Sequence, residues 1–287
     1  MEGSPGEDRW EGRILGRRFR LLSPIDRGGV GVVYRAQDLE GGEVAVKLLR
    51  SELFAIPQIA ERFERELELS SAIAHPNVIR SIARAKRTSE DPAFLVTEFV
   101  EGETLAHRIH RAGRLGTEPA LRIMKELLAG LAAIHDAGVV HRDLKPSNVL
   151  LSAEDERVKI FDFGMATYRE GLVAVGLTPL GLSVGTPSYC SPERIRGGVA
   201  PASAADIYSV GVMLFEMLTG ALPFAGSSHS ELCDRILTAP PPPTRVFVPG
   251  GVEPRLESII HACLAKEPGN RPISACAVRD VIDTASR

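Results

Sequence analysis

Cysteine is scarce in this 287-residue chain, with four in all: Cys190, Cys233, Cys263 and Cys276. No two have CxxC spacing and no histidine cluster sits beside them, which argues against a zinc site and against a disulfide framework. A reducing, cytoplasmic compartment is the expectation. Charge imbalance is small, at a net −3, so neither nucleic acid nor a membrane surface is expected as a partner. Long apolar runs are missing. The most apolar stretch, Ile207–Leu218, is too short to span a bilayer and carries Ser209 and Glu216. Met1–Arg13 is polar and acidic and lacks the apolar centre of a signal peptide. There is no internal repeat. Low complexity is confined to Pro240–Pro243, read as a loop between helices rather than a polyproline ligand.

What is present is an ordinary globular composition, 44% hydrophobic and 25% charged. Residues 1–18 read as a flexible leader. Their basic run of Arg13, Arg17 and Arg18, continued by Arg20, is read as a solvated face. From Phe19 to Leu49 β-forming residues surround the glycines Gly28, Gly29 and Gly31, Gly41-Gly42 mark a hairpin turn, and Val44-Ala45-Val46 fits a buried strand. Residues 58–72 carry a helical pattern, and strand signals return at 78–83 and 93–99. After Gly102 the chain turns helical. Thr117 is the expected N-cap of a helix to His135, with Gly138 as its stop and Leu121, Met124, Leu128, Leu131 and Ile134 as its apolar stripe. Residues 164–192 read as a long loop. An all-round apolar helix over 204–219 follows, then helices at 229–238, 253–265 and 273–285. A β-rich first third before a helical remainder predicts two lobes with a cleft between them.

Three stretches carry chemistry. Asp26-Arg27-Gly28-Gly29-Val30-Gly31-Val32-Val33 can bring backbone N–H groups close to a polyphosphate, although a ligand-free glycine hairpin reads equally well from these residues alone. Lys47 ends a buried strand and would need a partner, for which Glu66 on the next helix is the candidate. His141-Arg142-Asp143-Leu144-Lys145-Pro146-Ser147-Asn148 is followed by Asp162-Phe163-Gly164, with 19 positions from Asp143 to Asp162.

The pattern H-R-D-L-K-P-x-N with D-F-G downstream resembles the protein kinase family, specifically the eukaryotic-like serine/threonine kinases of bacterial type. Gly185–Glu193 looks like the end of a kinase activation segment, with Ser191-Pro192-Glu193 in place of A-P-E. Asp206-Ile207-Tyr208-Ser209-Val210-Gly211 resembles the family's D-x-W-S-x-G, and Arg271 matches the buried arginine that pairs with the A-P-E glutamate. The resemblance implies an α+β, bilobal protein-kinase fold: a β-rich N-lobe at 19–97, a hinge at 98–102 and a helical C-lobe at 103–284, with an ATP cleft between the lobes.

It also implies roles. Lys47, oriented by Glu66, would hold the α- and β-phosphates. Asp162 and Asn148 would bind Mg²⁺, with Mn²⁺ as the alternative metal. Asp143 would take the substrate hydroxyl's proton and Lys145 would neutralise the moving phosphoryl group. Ile25, Asp26, Arg27, Gly28, Gly29, Val30, Gly31, Val33, Ala45 and Leu150 would enclose the nucleotide. Thr97 takes the gatekeeper place, and backbone groups of Glu98 and Val100 would meet the adenine edge. His141 is read as a satisfied core histidine.

Two residues depart from the family pattern: Asp26 stands for the first glycine of G-x-G-x-x-G, and Ser70 for an apolar spine residue. The expected activity is transfer of the ATP γ-phosphoryl group to protein Ser/Thr hydroxyls. A pseudokinase scaffold or a small-molecule kinase is the alternative. Lys145 with Thr186 points to Ser/Thr over Tyr. Arg142 under the loop suggests activation by loop phosphorylation, at Thr178 or else Ser183, in trans within a transient homodimer.

Overall fold

The computed structural model describes residues 10–27, 31–49, 73–88, 91–162, 187–197 and 202–285. The expected helix over 58–72, with Glu66 and Ser70, lies outside them. So do Gly28, Gly29, Val30, Phe163, Gly164 and the loop residues Thr178, Ser183 and Thr186. The chain divides into two compact units, 1–74 with 79–100, and 75–78 with 101–287. The division at Val100/Glu101 falls inside the segment read as the hinge. The assignment of His75–Val78 to the second unit was not legible from composition.

The first unit is a six-stranded antiparallel sheet in the order β1-β2-β3-β4-β6-β5. Its strands are β1 (Ile14–Leu15), β2 (Phe19–Arg27), β3 (Gly31–Asp38), β4 (Glu43–Leu49), β5 (Ser81–Ala85) and β6 (Phe94–Glu98). Period-two alternation sends Leu21, Tyr34, Ala36, Val44, Val46, Leu48, Phe94 and Val96 to one face, where they form the core of the unit. The β3–β4 hairpin turns through Gly41-Gly42 as the sequence predicts, with the Asp38 N–H donated to the Gly42 carbonyl at 3.0 Å.

Residues 10–18 are not a flexible leader. Leu15 is 0% exposed in the core, and Trp10 packs against the same cluster. Ile14 and Leu15 pair with Arg20 and Phe19. Arg18 grips Asp38 through Nε and Nη2, each at 2.7 Å, so one member of the basic run is clamped rather than solvated. Apolar side chains at Trp10 and Leu15 outweigh the polar composition that suggested disorder.

The second unit holds a small sheet, β7 (Gly102–Thr104), β8 (Val149–Ser152) and β9 (Val158–Ile160), in that order. Its helices are α1 (Leu105–Ala112), α2 (Thr117–Asp136), α3 (Pro192–Ile195), α4 (Ala202–Thr219), α5 (His229–Thr238), α6 (Pro254–Cys263) and α7 (Ala275–Ala285). The α2 stripe is buried as expected, and Gly138 adopts φ 73 just past its end. The N-cap expectation is corrected by one residue: Gly116 caps and Thr117 is already helical. α4 is apolar on nearly every side because it packs against α2 and α6 at the centre of the unit. Pro240–Pro243 form the link from α5 to a short 3₁₀ turn at Thr244–Val246.

Candidate active site

The sheet unit brings four of the expected nucleotide residues to one face. Antiparallel partners point the same way, and Val33 pairs with Lys47 while Ala45 pairs with Thr97. All four are half-buried and lie opposite the core-facing Tyr34, Val46 and Val96. Gly31 has a different reason from the one its motif suggests. A Cβ there would sit 2.2 Å from the Leu48 carbonyl oxygen, so the β3–β4 approach itself demands glycine. Asp26 is exposed and its Oδ1 accepts the Arg27 N–H at 2.9 Å, which turns the acid back onto its own backbone. Ile25 is 50% exposed. At Glu98 the N–H is donated to the Arg80 carbonyl at 2.9 Å, and the Arg80 N–H to Glu98 Oε1 at 2.9 Å. An adenine contact by Glu98 would therefore fall to its carbonyl.

The second unit supplies the reactive groups. Lys145 Nζ lies 2.7 Å from Asp143 Oδ2. Asn148 donates from Nδ2 to the Asp143 carbonyl at 2.8 Å and to Oδ2 at 3.3 Å. One carboxylate is thus held by a cation and an amide, both from the same short loop, because the 3₁₀ turn Pro146–Asn148 folds Asn148 back over Asp143. With its amide nitrogen so used, Asn148 keeps Oδ1 as its metal-binding atom. Asp162 follows β9 with φ 62, and the preceding Phe161 N–H is bonded to the Asn148 carbonyl at 3.1 Å. Leu150 is half-buried on β8, opposite Thr104 and Lys159.

No group of three or more His, Cys, Asp or Glu side chains converges as a metal cluster among the described residues. The donors on offer are one carboxylate and one amide oxygen. That set fits a hard divalent cation which keeps waters and phosphate oxygens, and it does not fit a structural zinc.

Beneath this loop lies His141, 0% exposed. Its Nε2 is 3.2 Å from the Phe161 carbonyl and its Nδ1 accepts the Asp143 N–H at 3.3 Å, an arrangement matching the neutral Nε2–H tautomer. Burial holds this imidazole below its usual range despite Asp206, Asp143 and Asp162 nearby.

Asp206 is the functional residue whose task the sequence reading left unassigned. It is buried at the head of α4, and its Oδ2 accepts the His141 N–H (2.9 Å) while Oδ1 accepts that of Arg142 (2.8 Å). His135 Nε2 lies 2.9 Å from Oδ2. A carboxylate opening an otherwise apolar helix was the available signal, since a buried acid must have partners. Arg142 itself has φ 64, a region that L residues avoid.

The segment from Pro187 to Ile195 is anchored three ways. The Tyr189 hydroxyl donates to Glu216 Oε2 at 2.6 Å, Ser209 Oγ donates to the Tyr189 carbonyl at 2.9 Å, and Arg271 pairs with Glu193.

Comparison with known proteins places these features in context. The protein kinase domain model matches residues 19–281. Serine/threonine-protein kinase pkn2 of Myxococcus xanthus is 39% identical over 95% of this chain and 33% of its own length. Pkn3 of the same organism is 36% identical over 96% of this chain and 51% of its own. PrkC of Bacillus subtilis is 35% identical over 96% and 41%. The chain therefore spans a third to about half of these curated relatives. Among solved structures, the kinase domain of Mycobacterium tuberculosis PknI superposes with a TM-score of 0.75 at 23% identity, over 96% of this chain and 98% of that one.

Proposed function

This chain belongs to the protein kinase domain family, and from that premise we propose that it transfers the γ-phosphoryl group of ATP to serine and threonine hydroxyls of proteins. Its relatives are bacterial serine/threonine kinases. The observation that carries the reading is Asp143 Oδ2 held at 2.7 Å by Lys145 Nζ and at 3.3 Å by the Asn148 amide. A carboxylate so oriented can accept a hydroxyl proton, and the ammonium beside it can balance charge on the phosphoryl group in flight.

ATP with Mg²⁺ supplies the transferable phosphoryl group. Lys47 would hold the α- and β-phosphates, and Asp162 with Asn148 would hold the metal. Val33, Ala45, Thr97 and Leu150 would line the base. Glu66, Arg27 and the glycines Gly28 and Gly29 complete the set that the family pattern assigns. Phosphorylation in trans at Thr178 or Ser183, with Arg142 receiving the phosphate and Thr186 meeting the substrate, belongs to the same proposal. So do a transient homodimer and a cytoplasmic setting, which four free cysteines suit. No described helix is long and apolar enough to cross a membrane.

The test is Asp143→Asn assayed with radiolabelled ATP on a generic protein substrate. We expect kcat to fall by roughly 10²- to 10⁴-fold, with ATP affinity within a few-fold of the parent and phosphoserine or phosphothreonine as product. Undiminished transfer by Asp143→Asn, or a product dominated by phosphotyrosine, would overturn the reading. An inert parent that still binds nucleotide would favour a scaffold.

A further inference from the structure

The peptide group joining Arg142 to Asp143 defines one side of the φ torsion at Asp143, and holding it fixed holds the backbone frame from which the carboxylate projects. Both of its polar ends are taken. Its N–H is donated to His141 Nδ1 at 3.3 Å. Its carbonyl, that of Arg142, accepts from the Arg194 guanidinium through Nη1. One peptide earlier, the Arg142 N–H goes to Asp206 Oδ1 at 2.8 Å. Arg142 stands at φ 64, and a residue persists there only when its surroundings hold it. Asp206 holds the amide side of Arg142 and Arg194 the carbonyl side.

Arg194 comes from α3, a four-residue helix whose neighbouring side chain, Glu193, turns the other way into the ion pair with Arg271. Successive helical residues diverge by about 100°, so one short helix can face both directions at once. Among the described residues no carboxylate pairs with Arg194; its charge is directed at a backbone carbonyl 52 positions earlier in the chain. A charged donor on a part-buried carbonyl is among the stronger hydrogen bonds available.

We propose that Arg194 is a positioning residue for Asp143: by fixing the Arg142 carbonyl it sets the plane of the Arg142–Asp143 peptide, and through it the direction of the catalytic carboxylate. The ion pair roots α3 in the core, and Arg194 extends that anchorage to the catalytic loop. This rests on the kinase reading of Asp143. Its site is contributed wholly by the second unit.

The experiment compares Arg194→Met, which keeps length and loses the donor, with Arg194→Lys, which keeps a donor. Readouts are kcat, KM for ATP, the thermal melt, and amide hydrogen exchange of the peptide covering His141–Lys145. We expect Arg194→Met to lose roughly 10- to 100-fold in kcat, as for loss of a charged hydrogen bond in a reacting site. Its KM for ATP and melt should stay near the parent's, with faster exchange in that peptide. Arg194→Lys should recover to within a few-fold of the parent.

Parental kcat and parental exchange in Arg194→Met would overturn the proposal. A loss that tracks a lowered melt and is not recovered by lysine would also overturn it, since it would mark a merely structural arginine. Exchange does not require turnover. If the parent transfers no phosphate yet Arg194→Met speeds exchange at His141–Lys145, the kinase reading falls and the clamp stands.

Discussion

Arg271 holds Glu193 with both terminal nitrogens, at 2.8 and 2.6 Å, and its side chain is 0% exposed against 9% for the glutamate. The same guanidinium donates to the carbonyls of Ala265, Ala204 and Lys266. One arginine thereby satisfies a buried acid and three backbone oxygens from two segments, Ala204 on one and the adjacent Ala265 and Lys266 on the other. The Tyr208 ring faces it at 5.1 Å. Burial pushes the Glu193 carboxyl up, but the Arg271 guanidinium and the residue's own backbone N–H outweigh that and hold it below the usual carboxylate range.

Removing Arg271 should therefore cost far more than a surface charge. Arg271→Ala is expected to destabilise by about 3–5 kcal/mol, a melt lowered on the order of 10 °C. Glu193→Gln should cost less, because its amide oxygen still accepts. The pH dependence has a definite sign. Glu193 has a depressed folded pKa, so its stabilisation is present above the unfolded carboxylate value and lost as pH falls through the folded one. Glu193→Gln should flatten that acid limb. A shift of under a couple of degrees for Arg271→Ala in differential scanning calorimetry would contradict the pairing as the source of stability.

The Tyr189–Glu216 bond predicts the opposite pH behaviour. Burial pushes the Glu216 carboxyl up, and the Tyr189 hydroxyl pulls it only part of the way back. A raised folded pKa stabilises below the unfolded value, and that contribution is lost as pH rises through the folded value. Tyr189→Phe removes the bond that supports the charged form. It should cost about 1–3 kcal/mol near neutrality and less as acid protonates Glu216. Denaturant unfolding of both proteins at two pH values reads this, and a gap that does not change with pH would rule it out.

Gly31 offers a way to separate fold from ligand. If the 2.2 Å approach to the Leu48 carbonyl dictates glycine, Gly31→Ala must shift the β3–β4 ladder. The nucleotide-free melt should then drop, by an overpacking cost of roughly 1–3 kcal/mol. A glycine needed for phosphate alone would weaken ATP binding and leave that melt unchanged.

Sequence and structure agree best where a local pattern has one physical outcome. Period-two alternation gave β3 and β4 their faces, and the spacing of Leu121, Met124, Leu128, Leu131 and Ile134 gave α2 its stripe. The dense run from His141 to Asn148 was legible because its members meet within one short loop. What the sequence does not show is pairing across distance. Asp206 and Arg194 bind backbone groups of residues far away in the chain, and a backbone acceptor leaves no mark in the composition of the segment that owns it. Residues 10–18 were misjudged for a related reason: two side chains, Trp10 and Leu15, decide whether a polar segment docks, and composition averages them away. Gly31 was noticed for its motif, but its structural need is set by a neighbouring strand.

β1 bears on where this domain can be cut. The family match starts at Phe19, whereas the sheet starts at Ile14. A chain trimmed to the family boundary would lose Leu15 and Trp10 from the core cluster and Arg18 from Asp38. It would also remove β1 from the outer side of β2, uncovering Phe19 and Arg20 and extending the bare edge along the whole strand. Unpaired strand edges recruit one another, so the shortened protein should self-associate and precipitate even with every reactive side chain intact, and a loss of soluble yield could be mistaken for a loss of activity.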